Sequence, residues 1–218
     1  MLDRTRKLIQ QNKTVRLVAY GDSISEAGRT PGWFGGASRL ANNWAQRLGA
    51  LLRAAHPRAG FDVINFGIGG QNTYEGLGRL DWLAPLNPDL VIIEFGANDT
   101  GWHLLQPDET YTATKFLVDS IVVRHNADVV MLGEGGDNPQ SSVHQHLAET
   151  IAAQRRVAEE CGLPFVDLRS AIVAATDNGR RWTDFHSGPQ DCHPNDRGHA
   201  VWAEAAFKLI AQILSAPA

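Results

Sequence analysis

The chain is short of cysteine: two in 218 residues, Cys161 and Cys192. That is too few for a disulfide-stapled scaffold or a four-cysteine zinc site. The default is free thiols in a reducing compartment, or buried small side chains. No apolar run approaches the ~18 residues of a membrane span. The N-terminus carries charge but no apolar stretch before a small-residue cleavage site, so no signal peptide is read and the expected location is cytoplasmic; a leader already removed would leave no trace. Basic excess is missing as well, with 20 Lys and Arg against 24 Asp and Glu and a net charge of −4. The one basic cluster (Arg4, Arg6, Lys7, Lys13, Arg16) reads as a solvated helix face. A nucleic-acid partner would need a denser basic stripe. There is no internal repeat, low-complexity tract or linker, so residues 1–218 are expected to form one domain.

What is present is an alternation of two hydrophobic periods. Short β-type runs are expected at 15–20, 61–65, 90–95, 129–132 and 165–168, of which Leu90-Val91-Ile92-Ile93-Glu94-Phe95 is the clearest buried strand. Helices are expected between and around them. They are 3–12 with Asp3 as cap, 39–55, a short one from Thr73 to Leu83, 109–125, one opened by the capping-box pair Ser142 and Gln145 and closed by Gly162, and a last one from Asp196 to about Leu214. The inward faces are read as Phe116, Leu117, Ile121 and Val122 in the fourth, Val143, Leu147, Ile151 and Ala158 in the fifth, and Val201, Ala205, Leu209 and Ile213 in the last. Residues 27–37 and 176–192 read as loop. Strands alternating with helices imply an α/β protein: a five-stranded parallel sheet in a flavodoxin-like three-layer α/β/α sandwich.

The polar residues fall just past the strand ends, where open α/β sheets bind ligands. The first strand stops at Gly21-Asp22-Ser23, which offers an exposed serine on a tight turn or, more simply, a helix cap. The second leads to Gly67-Ile68-Gly69-Gly70, the third to Gly96-Ala97-Asn98-Asp99. The final loop holds Asp191-Cys192-His193-Pro194-Asn195. Acyl transfer by a serine needs a base, and histidine suits that task. It also needs donors aimed at the developing oxyanion; the Ser23 N–H, the Gly70 N–H and the Asn98 amide could supply three. Taken singly, Gly69-Gly70 is a turn and Asn98 an Asx-turn. Taken together and in order, the four motifs turn that reading around.

Gly21-Asp22-Ser23, Gly69-Gly70, Gly96-Ala97-Asn98-Asp99 and His193-Pro194-Asn195-Asp196-Arg197-Gly198 together resemble the SGNH hydrolases, also called GDSL esterases and lipases, over nearly the whole chain. The resemblance implies a metal-independent serine esterase that needs no cofactor. Ser23 would be the nucleophile, His193 the base, and Ser23, Gly70 and Asn98 the oxyanion hole. The α/β-hydrolase elbow requires Gly-x-Ser-x-Gly, and position 25 is Ser. The family usually places its triad Asp three residues before the His. Here that position is Gln190, and the nearest acid is Asp191, ranked first, with Asp184 or a backbone carbonyl as alternatives. The substrate implied is a small-molecule ester with a short acyl group, possible hosts including an acylated carbohydrate. Within the class the alternative is a lysophospholipase or thioesterase; outside it, a non-catalytic ligand-binding module, kept open by Gln190.

His186, His193 and His199 lack partners at metal-ligand spacing, and His144 and His146 would point to different helix faces, so no metal is expected. His199 reads as a packing or capping residue. Cys192 is not expected to pair with His193 as a nucleophile. Trp33, Trp102 and Trp182 are read as bordering the mouth of the site. Oligomeric state is left open.

Overall fold

The computed structural model describes residues 1–27, 43–101, 103–134, 146–176, 179–188 and 191–216. Five strands form one sheet: β1 (Val15–Gly21), β2 (Phe61–Gly67), β3 (Leu90–Glu94), β4 (Asp128–Gly133) and β5 (Phe165–Asp167), in the order β2-β1-β3-β4-β5. All four pairings are parallel. This is the flavodoxin-like order expected from the alternating pattern, with its topological switch point between β1 and β3.

Parallel strands covered on both faces need apolar residues on both. In β1, Leu17 and Ala19 face one core while Val18 and Tyr20 face the other; in β3, Leu90 and Ile92 oppose Val91 and Ile93 in the same way. The described helices are α1 (Asp3–Gln10), α2 (Ser23–Glu26), α3 (Trp44–Ala55), α4 (Thr73–Gly78), α5 (Ala97–Thr100), α6 (Pro107–His125), α7 (Leu147–Cys161), α8 (Leu168–Thr176) and α9 (Asp196–Ser215). On the first face lie Trp44 and Leu48 of α3, Leu168 and Ile172 of α8, and Trp202, Ala206 and Ile210 of α9. On the second lie Leu117 and Ile121 of α6 and Val157 of α7. Each Leu, Ile or Val among them, fully withdrawn from water, contributes roughly 1.5–3 kcal/mol before entropy is counted.

Several local expectations are corrected. Asn72, not Thr73, caps α4: its side chain accepts the Glu75 N–H at 2.9 Å and Glu75 returns the bond to the Asn72 N–H. Asn195, not Asp196, caps α9. Asp3 caps nothing. α1 opens after a left-handed Leu2 and is tied down by Arg4 on Asp89 at 2.6 Å and by the Thr5 N–H on Asp128 at 2.7 Å. Arg4, Arg6 and Arg16 are therefore not a solvated face; Arg6 donates to the Ile213 carbonyl and Arg16 to that of Leu86. Phe116 (63% exposed) and Val122 (44%) point outward, and Thr114, Leu117, Val118 and Ile121 form the buried stripe of α6 instead. In α9 the buried face is Trp202, Ala203, Ala206 and Ile210, with the expected Val201, Ala205, Leu209 and Ile213 flanking it half-buried. α8 was not expected at all; Asp167 ends β5 and at once accepts the Ser170 N–H at 2.9 Å, so strand and helix meet without a loop. Ser142, Val143 and Gln145, and residues 28–42 with Trp33, lie outside the described residues.

Candidate active site

β1 stops because Gly21 is wedged. A Cβ there would sit 2.3 Å from the Glu94 carbonyl oxygen and 2.5 Å from Ser25 Oγ. Asp22 then turns the chain: its Oδ1 accepts the Ile24 N–H at 2.9 Å and caps α2, which makes Ser23 the first helical residue. The end of β2 packs directly on this turn. A Cβ on Gly67 would come within 2.2 Å of the Glu26 backbone nitrogen.

Ser23 is 170 residues from His193 in sequence, yet its Oγ lies 2.9 Å from His193 Nε2. On the other side of the ring, His193 Nδ1 is 2.6 Å from Asp191 Oδ1, which also accepts the His193 backbone N–H at 2.9 Å. A ring between a carboxylate and a hydroxyl is the tautomer with the proton on Nδ1 and a free pair on Nε2. Burial alone would raise the Asp191 carboxyl, but the bonds from the His193 ring and backbone outweigh it and hold it below the usual carboxylate range. Asp184 is elsewhere: its Oδ2 accepts the Arg181 N–H at 3.0 Å. Gln190 lies outside the described residues.

The His193 loop is fixed by Asn195. Its Oδ1 caps α9 through the N–H groups of Arg197 and Gly198, and its amide donates to the carbonyls of Asp184 and His186, both at 3.0 Å. Ser187 N–H on the His193 carbonyl and the bridge between His186 and Pro194 complete the brace.

The two further expected groups lie on the turns after β2 and β3. Gly70 has φ +80°, a left-handed turn, and no atom of the described residues comes within 4 Å of where a Cβ would stand. Its neighbour Gly69 donates its N–H to Glu26 Oε2 at 2.7 Å, and the Gly70 carbonyl lies 3.3 Å from His103 Nε2. Asn98 is in α5, just after Gly96 at φ +139°. Its amide donates to the Gln71 carbonyl at 2.9 Å and, at a long 3.3 Å, to Asp22 Oδ2. The second bond is the one an oxyanion would compete with. Asp99 serves the frame: it accepts the Thr73 N–H and the Thr110 hydroxyl, joining α4 to α6, and burial raises its carboxyl.

Beneath the serine lies a group that the sequence reading missed. Asp22, Glu94 and Glu134 are all buried, with oxygens within 4.8 Å of one another. Ser25 Oγ donates to Glu94 Oε2 at 2.6 Å. Burial, then the neighbouring Glu134 charge, pushes Asp22 well above its ordinary range; burial, then Asp22 and Glu134, does the same to Glu94. The strand pattern hid this, since Glu94 sits in a run otherwise wholly apolar. By distance this trio, or Asp191, Cys192 and His193, could gather round a cation. The first is closed in by Gly21 and Ser25, and in the second both His193 ring nitrogens already have partners.

Three other side chains are placed. Burial raises the Cys192 thiol well above its ordinary value, so the thiolate is disfavoured despite Sγ lying 3.7 Å from His193 Nδ1. His199 is 1% exposed and its Nδ1 accepts the Trp44 N–H at 3.2 Å, capping α3 from α9; burial lowers it to about 3. Trp182 stacks on His186 and packs on the core, whereas Trp102 lies outside the described residues.

Comparison with known proteins gives the family and the fold. Residues 19–201 match the GDSL-like lipase/acylhydrolase family. An acetylxylan esterase of Geobacillus stearothermophilus is 26% identical over 89% of this chain and 93% of its own. An arylesterase of Vibrio mimicus is 33% identical over 54% of this chain and 53% of its own. Among solved structures, a two-domain esterase active on acetylated mannans superposes with a TM-score of 0.77 at 23% identity, over all of this chain and 54% of that one. Among the described residues no helix is long and apolar enough to cross a membrane. The match from the end of β1 into α9 takes in every motif just described, and the chain is a member of the GDSL-like lipase/acylhydrolase family, a carboxylic ester hydrolase.

Proposed function

We propose that the protein is a serine esterase acting through an acyl-enzyme on short acyl esters, with acetyl groups on a carbohydrate as the substrate class. The observation that carries the mechanism is the unbroken chain from Ser23 Oγ to His193 Nε2 at 2.9 Å and from His193 Nδ1 to Asp191 at 2.6 Å. Ser23 Oγ attacks the ester carbonyl as Nε2 takes its proton. The carbonyl oxygen becomes an oxyanion facing the Ser23 N–H, the Gly70 N–H and the Asn98 amide. Neither of the two backbone N–H groups is engaged by another described residue. Collapse breaks the bond to the alcohol, which leaves with the proton from Nε2, and the acyl group stays on Ser23. Water then repeats the cycle, Nε2 taking its proton and returning one to Ser23. Asp191 keeps the ring in one tautomer and stabilises the imidazolium.

The acetyl-carbohydrate substrate is supported by the acetylxylan esterase, which matches over nearly its full length. The non-catalytic alternative drew on residue 190, and with Asp191 against Nδ1 nothing in the site favours it. The test is release of p-nitrophenol from p-nitrophenyl acetate, and of acetate from acetylated xylo- and manno-oligosaccharides, by wild type and Ser23→Ala. Equal rates for the two proteins would end the serine reading. A rate that rises steadily from acetyl to octanoyl esters would end the short-acyl one.

A further inference from the structure

Arg79 follows α4 and is 2% exposed. Its guanidinium is boxed by rings, with Cζ 4.3 Å from the Tyr20 centroid, 4.8 Å from Phe66 and 5.7 Å from Phe95. Gly76 lets α4 come close enough for this, since a Cβ there would meet the Phe95 ring at 2.8 Å. A guanidinium taken this far from water is costly unless its fork of donors is used. Here Nη2 donates to the Gly21 carbonyl at 2.7 Å, Nη1 to the Phe66 carbonyl at 2.7 Å, and Nε to Gln71 Oε1 at 2.6 Å.

Those three acceptors lie next to the oxyanion donors. Gly21 is two residues before Ser23, and its carbonyl also receives the Ile68 N–H that leads into the glycine turn. Phe66 precedes that turn. Gln71 follows Gly70 directly, and its carbonyl takes the Asn98 amide at 2.9 Å. One cation thus joins the peptide before the nucleophile to the turn carrying Gly70 and, through Gln71, to Asn98.

We propose that Arg79 is a positioning residue for the oxyanion hole, setting the spacing of the Ser23, Gly70 and Asn98 donors by clamping Gly21, Phe66 and Gln71 at once. The proposal rests on the serine reading above. Arg79 touches no substrate. It holds the donors where the tetrahedral oxygen will be, rather than where the ground-state carbonyl sits, so its loss acts on kcat more than on KM.

The test uses Gln71→Met, which keeps the half-buried side chain's length but removes the acceptor for Nε, alongside Arg79→Lys and Arg79→Met. With p-nitrophenyl acetate, Gln71→Met is expected to lower kcat by about 10- to 100-fold, the range for losing one charge-assisted bond at a site that must be held to a fraction of an ångström. KM stays within about twofold, as for an interaction felt only in the transition state. The inhibition constant of phenylboronic acid, which forms a tetrahedral adduct on the serine, rises by the same factor as kcat/KM falls. Arg79→Lys lies between wild type and Arg79→Met, because an ammonium keeps the charge without the fork. Unchanged kcat or unchanged boronate affinity in Gln71→Met, with wild-type hydrolysis still abolished by Ser23→Ala, overturns the positioning role and leaves the serine reading standing. Loss of activity explained wholly by a lowered Tm overturns it too. If Arg79→Met fails to fold, Gln71→Met decides alone.

Discussion

Replacing Asp191 by Asn removes a charge and loosens the hold on the His193 tautomer, with little change of shape. The side chain keeps an oxygen for the His193 backbone N–H, so the loop should hold its shape. What is lost is the attraction between a carboxylate and the imidazolium formed in each transition state, across 2.6 Å. At that separation the attraction runs from about 1.6 kcal/mol in bulk water to about 6 kcal/mol at the effective dielectric of a protein site. Asp191 is 31% exposed and His193 19% exposed, which places the pair between those limits. A value of about 3–4 kcal/mol, at 1.4 kcal/mol per decade, gives a fall in kcat of roughly 100- to 1000-fold. Any misplacement of the ring proton adds to this loss of charge, as in the ~10⁴-fold fall of a serine-protease triad, where the wrong His tautomer contributes. Acylation and deacylation both pass through the imidazolium, so both slow. The assay is steady-state hydrolysis of p-nitrophenyl acetate from pH 5 to 9, with circular dichroism to confirm the fold and Asp184→Asn as comparison. Activity of Asp191→Asn within threefold of wild type across that range, or a loss as large in Asp184→Asn, would refute the assignment.

Asn98→Ala should lower kcat about 100- to 1000-fold with KM nearly unchanged, the effect of deleting one oxyanion donor; a raised KM at normal kcat would make Asn98 a ground-state contact. The glycines should separate by mechanism. Gly70→Ala meets no atom of the described residues and suffers only the left-handed backbone, about 1–2 kcal/mol, whereas Gly67→Ala drives a methyl into the α2 backbone and should cost more than about 3 kcal/mol, both read from chemical unfolding; equal effects would contradict the packing of β2 on α2. His199 is neutral in the fold down to about pH 3. The unfolded chain binds its proton from about pH 6.5 downward, so stability falls by about 1.4 kcal/mol per pH unit as pH drops from there toward 4. His199→Gln should flatten that slope relative to wild type, and an unchanged slope would show that the imidazole is not the group responsible.

The frame was legible because its signals are local. Each strand is a short apolar run ending in small or polar residues, and the run-and-turn pattern places Ser23, Gly70 and Asn98 at one edge of the sheet. His193 came from the order of motifs, since nothing in the last 30 residues alone marks that histidine over its neighbours. Elements set by two competing side chains were missed. Asn72-Thr73 and Asn195-Asp196 each offer two good caps, and the choice falls to whichever side chain faces the open amides. α8 was invisible because Asp167 is both the last strand residue and the first acceptor of the helix. Phe116 and Val122 were assigned inward because α6 carries apolar residues on more than one face, and the face that docks is settled by the sheet rather than by period. Arg79 was missed for a plainer reason: a charged residue reads as solvent-facing until its burial is seen.

The carboxyls packed under Ser23 make folding a proton-consuming reaction. Burial, and then repulsion from neighbouring carboxyls, raises both the Asp22 and the Glu94 carboxyl well above their ordinary range, so each binds a proton more tightly in the fold than in an open chain. A chain collapsing at a pH above the ordinary carboxylate range is therefore expected to draw hydrogen ions from its buffer as β1 and β3 close over that pocket. The heat of refolding should then vary with the ionisation enthalpy of the buffer used, and an unbuffered solution should turn more alkaline as the protein forms. As pH rises, these two groups work against the native state, because the open chain gives up their protons more readily than the closed one. The acidic pair beneath the nucleophile thus couples the closing of the sheet to the hydrogen-ion concentration around it.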